Sequence, residues 1–253
     1  MKLQFTSQGS GNPRLCFVHG FTQTGNSWKK PASGIHVGTK IFIDAPDHGA
    51  SQGVSLNLVE AGNAVAEISA GSTVIGYSMG ARIALHAVLQ HPDAFTGAVL
   101  VSGTAGISDD QERIDRKLQD EALACSIENK GSESFIREWV QQPLFANSLF
   151  SEEEIADRMR NTATSLASSL RLCGTGSQQP LWGQLKNIRI PVLIVAGELD
   201  KKFVGLAKQM HSLIPNSQIA VVPNAGHAVH TETPSSFCEI VNEWLDSQTN
   251  SKQ

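Results

Sequence analysis

Val74-Ile75-Gly76-Tyr77-Ser78-Met79-Gly80-Ala81-Arg82-Ile83-Ala84-Leu85 is the stretch that decides the fold. An apolar, β-branched run stops at Gly76, and a helix-forming run begins after Gly80. Between them stands the pattern G-x-S-x-G, which marks a sharp strand-to-helix turn. Such a turn holds its central residue at strained backbone angles, so the flanking positions must be small. The Ser78 oxygen then stands at a helix N-terminus, where backbone N–H groups and the helix dipole favour negative charge.

Further short apolar runs, each closed by turn residues, lie on either side. Arg14-Leu15-Cys16-Phe17-Val18 runs into His19-Gly20, Lys40-Ile41-Phe42-Ile43-Asp44 into Ala45-Pro46, and Ala98-Val99-Leu100-Val101 into Ser102-Gly103. Near-continuous apolar runs of this kind read as strands buried on both faces. Helical stretches separate them, one from Leu58 to Ile68 and one with Ile83, Ala84, Ala87 and Val88 on one side. Strand–helix–strand alternation predicts an α/β fold with a mostly parallel, doubly wound sheet.

From about Ala105 to Pro180 the texture changes. Ile114, Leu118, Ala122 and Cys125 recur at helical spacing, as do Phe135, Ile136, Trp139 and Val140, then Ile155 with Met159 and Leu166 with Leu170. No strand-like run interrupts them, which predicts a helical cap (105–180) inserted into a core made of 1–104 and 181–253. The sheet resumes at Val192-Leu193-Ile194-Val195-Ala196-Gly197, followed by a helix carrying Phe203, Leu206, Ala207 and Met210. Ile219-Ala220-Val221-Val222 reads as the last strand. A closing helix starts at Thr233-Pro234, with Pro at the first helical position, and presents Phe237, Ile240, Val241, Trp244 and Leu245 to the core. Asn250-Ser251-Lys252-Gln253 reads as a frayed tail.

Composition narrows the function. The 253 residues carry 20 Lys+Arg against 24 Asp+Glu, a formal charge of −4, with no basic block. A nucleic-acid partner needs a dense cationic face and is not expected. No apolar run approaches the ~20 residues needed to span a bilayer, and the start lacks a secretory apolar stretch. Cys16, Cys125, Cys173 and Cys238 are scattered without a CxxC pair, which fits reduced, mostly buried thiols and a cytoplasmic location.

A serine hydroxyl needs a neighbouring base, and an imidazole base needs an orienting carboxylate. Both follow Ser78 in the chain order that this architecture requires. Asp200 lies in Gly197-Glu198-Leu199-Asp200, just past one strand, and His227 in Asn224-Ala225-Gly226-His227, just past the last. Ser78, Asp200 and His227 thus share the C-terminal edge of the sheet, where sites form. Glu198 is the rival acid and His230 the rival base, with a solvated loop position as the bland reading of His230. The backbone N–H groups of Phe21, after His19-Gly20, and of Met79 are placed to form an oxyanion hole. His48, in Asp44-Ala45-Pro46-Asp47-His48-Gly49, reads as structural. Arg82, one helical turn after Ser78, can share its face, and a permanent charge there suits an anionic substrate. Six of the nine arginines (Arg113, Arg116, Arg137, Arg158, Arg160, Arg171) fall in the cap together with thirteen acids, so solvated helix faces are the bland reading for each.

From His19-Gly20 to Gly226-His227 the chain resembles the α/β-hydrolase superfamily. More specific strings are Gly76-Tyr77-Ser78-Met79-Gly80-Ala81-Arg82, Gln111-Glu112-Arg113-Ile114-Asp115-Arg116, Trp139-Val140-Gln141-Gln142-Pro143-Leu144-Phe145, Gly174-Thr175-Gly176-Ser177-Gln178 with Leu181-Trp182, Gly197-Glu198-Leu199-Asp200-Lys201-Lys202-Phe203, and Ala225-Gly226-His227. In these the chain resembles the menaquinone-pathway synthases that form 2-succinyl-6-hydroxy-2,4-cyclohexadiene-1-carboxylate. Asp47 departs from the pattern, standing where most relatives have Gly.

The resemblance implies a lyase that eliminates pyruvate from 2-succinyl-5-enolpyruvyl-6-hydroxy-3-cyclohexene-1-carboxylate, in menaquinone or phylloquinone biosynthesis. It implies catalysis by Ser78, Asp200 and His227, and substrate binding by Arg82, Tyr77, Trp139, Arg116 and Arg160. No metal or organic cofactor is implied. The expected partner is a small tricarboxylate; neither nucleic acid nor membrane insertion is expected, and the oligomeric state is left as monomer or homodimer. Two other readings stay open: a serine esterase or thioesterase acting on a small carboxylate-bearing ester, and a non-enzymatic binding protein of the same fold.

Overall fold

The computed structural model describes residues 2–250, with side chains to residue 249; the expected frayed tail lies outside the described residues from Ser251 onward. Seven strands form one sheet: β1 (Phe5–Gly9), β2 (Arg14–Val18), β3 (Thr39–Ile43), β4 (Ser72–Tyr77), β5 (Phe95–Val101), β6 (Val192–Gly197) and β7 (Ser217–Val222). Their spatial order is β1-β3-β2-β4-β5-β6-β7. Every pairing is parallel except β1 with β3, where Phe5 opposes Ile43 and Gly9 opposes Thr39. β1 is not legible in the sequence, because all five of its residues are exposed and show no alternation.

The central strand β4 is buried throughout, and alternation divides its side chains between two apolar layers. Val74 joins Cys16, Ile83, Leu100 and Ile194 under α1 (Leu58–Ser69) and α2 (Met79–Gln90). Ile75 and Tyr77 join Phe17, Trp28 and Val99 on the opposite face. Asn57 caps α1 with a capping box completed by Glu60.

The segment after β5 is helical, as expected, and has its own small core. It contains α3 (Asp110–Lys130), α4 (Ser132–Trp139), α5 (Glu152–Arg158) and α6 (Ala163–Cys173). Ala124, Ile127, Phe135, Ile136, Leu166 and Leu170 pack together between these helices. The residues whose spacing suggests α3 do not supply its packing: Ile114 and Leu118 are exposed, as are Ala122 and Cys125. The inner side of α3 carries Asp120, Ala124 and Ile127, and its first turns are polar there because they border a cavity.

The chain then forms α7 (Lys201–Leu213) after β6, and the short α8 (Val229–Glu232) and the closing α9 (Pro234–Asn250) after β7. Phe237, Val241 and Trp244 of α9 lie buried in the second apolar layer. All four cysteines are free, with Cys16, Cys173 and Cys238 buried and Cys125 exposed. No helix among the described residues is long and apolar enough to cross a membrane.

Candidate active site

Ser78 sits at φ 52° and ψ −108°, in the left-handed half of backbone space, as the residue preceding α2. A side chain on Gly76 would strike the Gly80 carbonyl, and one on Gly80 would strike the Val18 carbonyl. The two glycines of the G-x-S-x-G pattern are therefore what lets strand, turn and helix close upon each other. The Ser78 hydroxyl donates to Nε2 of His227 at 3.1 Å, and Nδ1 of His227 donates to Asp200 Oδ2 at 2.7 Å. Glu198 lies exposed and accepts from the Asn224 N–H, away from this chain of contacts. Asp200 also caps α7, accepting from the Phe203 N–H, and the Phe203 ring lies 4.5 Å from that of His227.

His230, the rival base, is a correction to the sequence reading: it is fully buried rather than solvated. Its ring lies 4.2 Å from Trp28 and 4.4 Å from Tyr77, and burial pushes its pKa down to about 3. Tyr77 is a second correction. Alternation along β4 sends its ring into the apolar layer with Trp28, beneath the serine, rather than into the cavity.

Phe21 follows β2 in a loop held by two buried histidines. His19 Nε2 accepts the Ala45 N–H while its Nδ1 pairs with the Gly20 carbonyl. His48 Nε2 accepts the Thr22 N–H while its Nδ1 pairs with the Pro46 carbonyl. Each ring must therefore be the neutral Nδ1–H tautomer. Burial lowers their pKa values to about 4 and about 3. No acceptor among the described residues takes the N–H groups of Phe21 or Met79, which leaves both for a ligand.

Ser78, His227, Phe21 and Met79 open onto a cavity of about 600 Å³ that reaches under α3 and α4. Arg82 and Arg116 line it, as do Trp139, Thr175, Trp182 and Lys202. Arg82 is buried, donates one Nη1 bond to the Cys173 carbonyl at 2.7 Å, and has its pKa pushed down to about 10 by burial. Arg116 is braced through Nε by buried Asp120 at 2.8 Å, whose second oxygen accepts the Gly176 N–H. The Trp139 ring meets Phe21 edge to face at 5.3 Å.

Arg160 is the third correction. It is half exposed, ion-paired with Asp157 at 3.1 Å, and absent from the cavity wall. Arg113, Arg137 and Arg171 are likewise paired with Asp110, Glu133 and Glu121. Arg158 behaves differently: it is buried, donates to the Thr22 hydroxyl, lies 5.0 Å from the Phe150 ring, and has no carboxylate partner among the described residues. Desolvation lowers its pKa. Its signal in the sequence is position, three residues after Ile155 on the inward side of α5.

Asp47 sits at φ 60°, a conformation that glycine adopts freely. Its carboxylate accepts from Ser55 at 2.9 Å and from Ser168 of α6 at 2.7 Å, so it ties the loop to the inserted helices.

Residues 17–240 match the profile of the alpha/beta hydrolase family, and the chain belongs to that family. It is 36% identical, over 91% of its own length and 89% of the relative's, to a Bacillus subtilis protein provisionally named 2-succinyl-6-hydroxy-2,4-cyclohexadiene-1-carboxylate synthase. It is 28% identical to the Klebsiella pneumoniae protein of the same name, over 94% of this chain and 95% of the relative. Among solved structures it is similar to MenH of S. aureus, at TM-score 0.89 and 30% identity, with 97% of this chain and 98% of that one covered.

Proposed function

We propose that the protein is a lyase that converts 2-succinyl-5-enolpyruvyl-6-hydroxy-3-cyclohexene-1-carboxylate to 2-succinyl-6-hydroxy-2,4-cyclohexadiene-1-carboxylate, releasing pyruvate. The observation that carries this reading is Arg82, a buried guanidinium one helical turn from Ser78 on the wall of the same cavity. An esterase for apolar acyl groups has no use for such a charge, whereas a tricarboxylate needs several. Arg116 and Lys202 add two more cations to the wall, and Arg158 lies behind Thr22 in the loop of Phe21.

The bond changes follow from the two structures. A 3-ene bearing a leaving group at carbon 5 becomes a 2,4-diene, so the proton leaves carbon 2, next to the succinyl carbonyl. His227 Nε2 takes the Ser78 proton, and the serine oxygen takes the proton from carbon 2. That C–H pair becomes the 2,3 double bond, the 3,4 pair moves to 4,5, and the carbon–oxygen bond at carbon 5 breaks. The enolpyruvate released takes up a proton and becomes pyruvate. Negative charge growing on the succinyl carbonyl oxygen meets the N–H groups of Phe21 and Met79, in a site that spends nothing on reorganisation. Asp200 holds His227 in the Nδ1–H tautomer and stabilises the imidazolium.

On this reading the enzyme works in the cytoplasm, as a monomer or homodimer, without metal or organic cofactor. The 105–180 segment acts as a cap that supplies Arg116 and Trp139 to the cavity wall, while its Arg158 braces Thr22 in the loop of Phe21. The reading is tested by offering the protein its enolpyruvyl substrate and, separately, a panel of small esters. Stoichiometric pyruvate and diene absorbance with slow ester cleavage supports the lyase; rapid ester cleavage without pyruvate overturns it.

A further inference from the structure

His227 is held by more than its ring. The residues on either side of it both donate to one carboxylate, that of Glu232 at the end of α8: the Gly226 N–H reaches Oε2 at 2.5 Å and the Ala228 N–H reaches Oε1 at 3.2 Å. The carbonyl of His227 itself accepts from the Ser102 hydroxyl at 2.7 Å. Ser102 stands at φ 49° just past β5, with its own N–H on the Val195 carbonyl. The backbone of the base is thus pinned on three sides, to its own short helix and to the central strands.

The Glu232 carboxylate accepts one further hydrogen bond, from outside the core of the fold. Ser148, in the chain between α4 and α5, donates its hydroxyl to Glu232 Oε1 at 2.6 Å. The same stretch of chain places Phe145 against His227, ring centroids 6.3 Å apart, and Phe150 beside Arg158. No cation among the described residues pairs with Glu232, so its oxygens serve three neutral donors. A carboxylate can do this because it only accepts; an amide in its place offers one oxygen, and its NH2 faces an N–H head-on.

We propose that Glu232 is a positioning residue that sets His227 toward Ser78, and that Ser148 makes this setting depend on the seating of the inserted segment. The inference rests on the catalytic reading of Ser78 and His227. The physical argument is geometric: misplacing a catalytic group by about 1 Å costs on the order of 10²-fold. Glu232 touches neither the cavity nor the reacting atoms, so its loss acts through the angle and distance of the imidazole.

The experiment compares wild type, Glu232→Gln and Ser148→Ala by two readouts. One is the low-field proton NMR signal of the His227–Asp200 hydrogen bond in the substrate-free protein; the other is kcat and KM for pyruvate release. For Glu232→Gln the signal shifts or broadens, and kcat falls about tenfold or more while KM stays within about twofold, since the binding wall is untouched. Ser148→Ala leaves both amide contacts in place, moves the signal in the same direction and lowers kcat a few-fold. A folded Glu232→Gln protein with unchanged signal and kcat overturns the proposal, as does a loss of activity that only tracks the folded fraction. Should Glu232→Gln not fold, Ser148→Ala decides, and an unchanged signal and kcat there overturns it. If wild type releases no pyruvate, the lyase reading fails, and the NMR comparison still judges the clamp.

Discussion

Arg82→Ala separates a binder of carboxylates from a generic hydrolase. Arg82 as a residue is 7% exposed, and its guanidinium commits one of its five donors to the Cys173 carbonyl. The remaining donors are available to a ligand in the cavity that Arg82 lines. A charge-assisted pair in such a desolvated place contributes about 2–4 kcal/mol of transition-state binding, which converts to about 30- to 1000-fold in kcat/KM. Stability moves less. The Cys173 carbonyl loses its donor, at a cost of about 1–3 kcal/mol, offset in part because a desolvated charge disappears. Arg82→Lys keeps a charge without the two-pronged fork, so it recovers only part of the loss. The assay is the initial rate of pyruvate release at several substrate concentrations, paired with a thermal melt. A variant within about threefold of wild type in kcat/KM, or one that loses equal activity on an uncharged ester, refutes the reasoning.

Three further outcomes are expected. Arg160→Ala leaves kcat/KM within about twofold, because that side chain is half exposed and stays off the cavity wall, while Arg158→Ala removes the buried donor to Thr22 beside Phe21 and lowers it by about tenfold or more; steady-state kinetics on both checks this. Stability falls on acidification: His19 and His48 stay neutral in the folded chain down to about 4 and about 3, while the unfolded chain binds protons from its ordinary value of about 6.5 downward. The unfolded state then holds more protons, so stability present above about pH 6.5 is lost as pH falls, by about 2 kcal/mol per ring at about pH 5, readable from urea melts at stepped pH. Ser168→Ala deprives buried Asp47 of one of its two hydroxyl donors and costs about 1–3 kcal/mol, measured by the same melts.

Most of the sheet is legible in the sequence because its inner strands β2, β4, β5 and β6 are almost wholly buried on both faces and read as near-continuous apolar runs ending in turn residues. β1 escapes because it is an exposed edge whose pairing is set by β3 and not by its own pattern. Chain order and loop position suffice to select Ser78, Asp200 and His227, and the structure brings their side chains into one hydrogen-bonded row. The inserted helices are harder to read, since a helix that borders a cavity turns polar residues inward. On α3 this leaves Ile114 and Leu118 facing solvent while Asp120 is buried, so apolar spacing points to the wrong face. Arg158 is buried and Arg160 is half exposed although they are two residues apart, a distinction set by where α5 ends, since Arg158 is its last residue and Arg160 lies beyond it. Tyr77 is misplaced for a simpler reason: it neighbours the serine in sequence, and alternation sends it to the opposite layer.

The central claim is that the Ser78 oxygen, activated by His227, removes the ring proton. Its most direct test is the rate of pyruvate release from the enolpyruvyl substrate by wild type and Ser78→Ala under one set of conditions. The account predicts one pyruvate per diene from wild type and a rate lower by about 10²–10⁴-fold in the variant. A Ser78→Ala protein that releases pyruvate at close to the wild-type rate contradicts it.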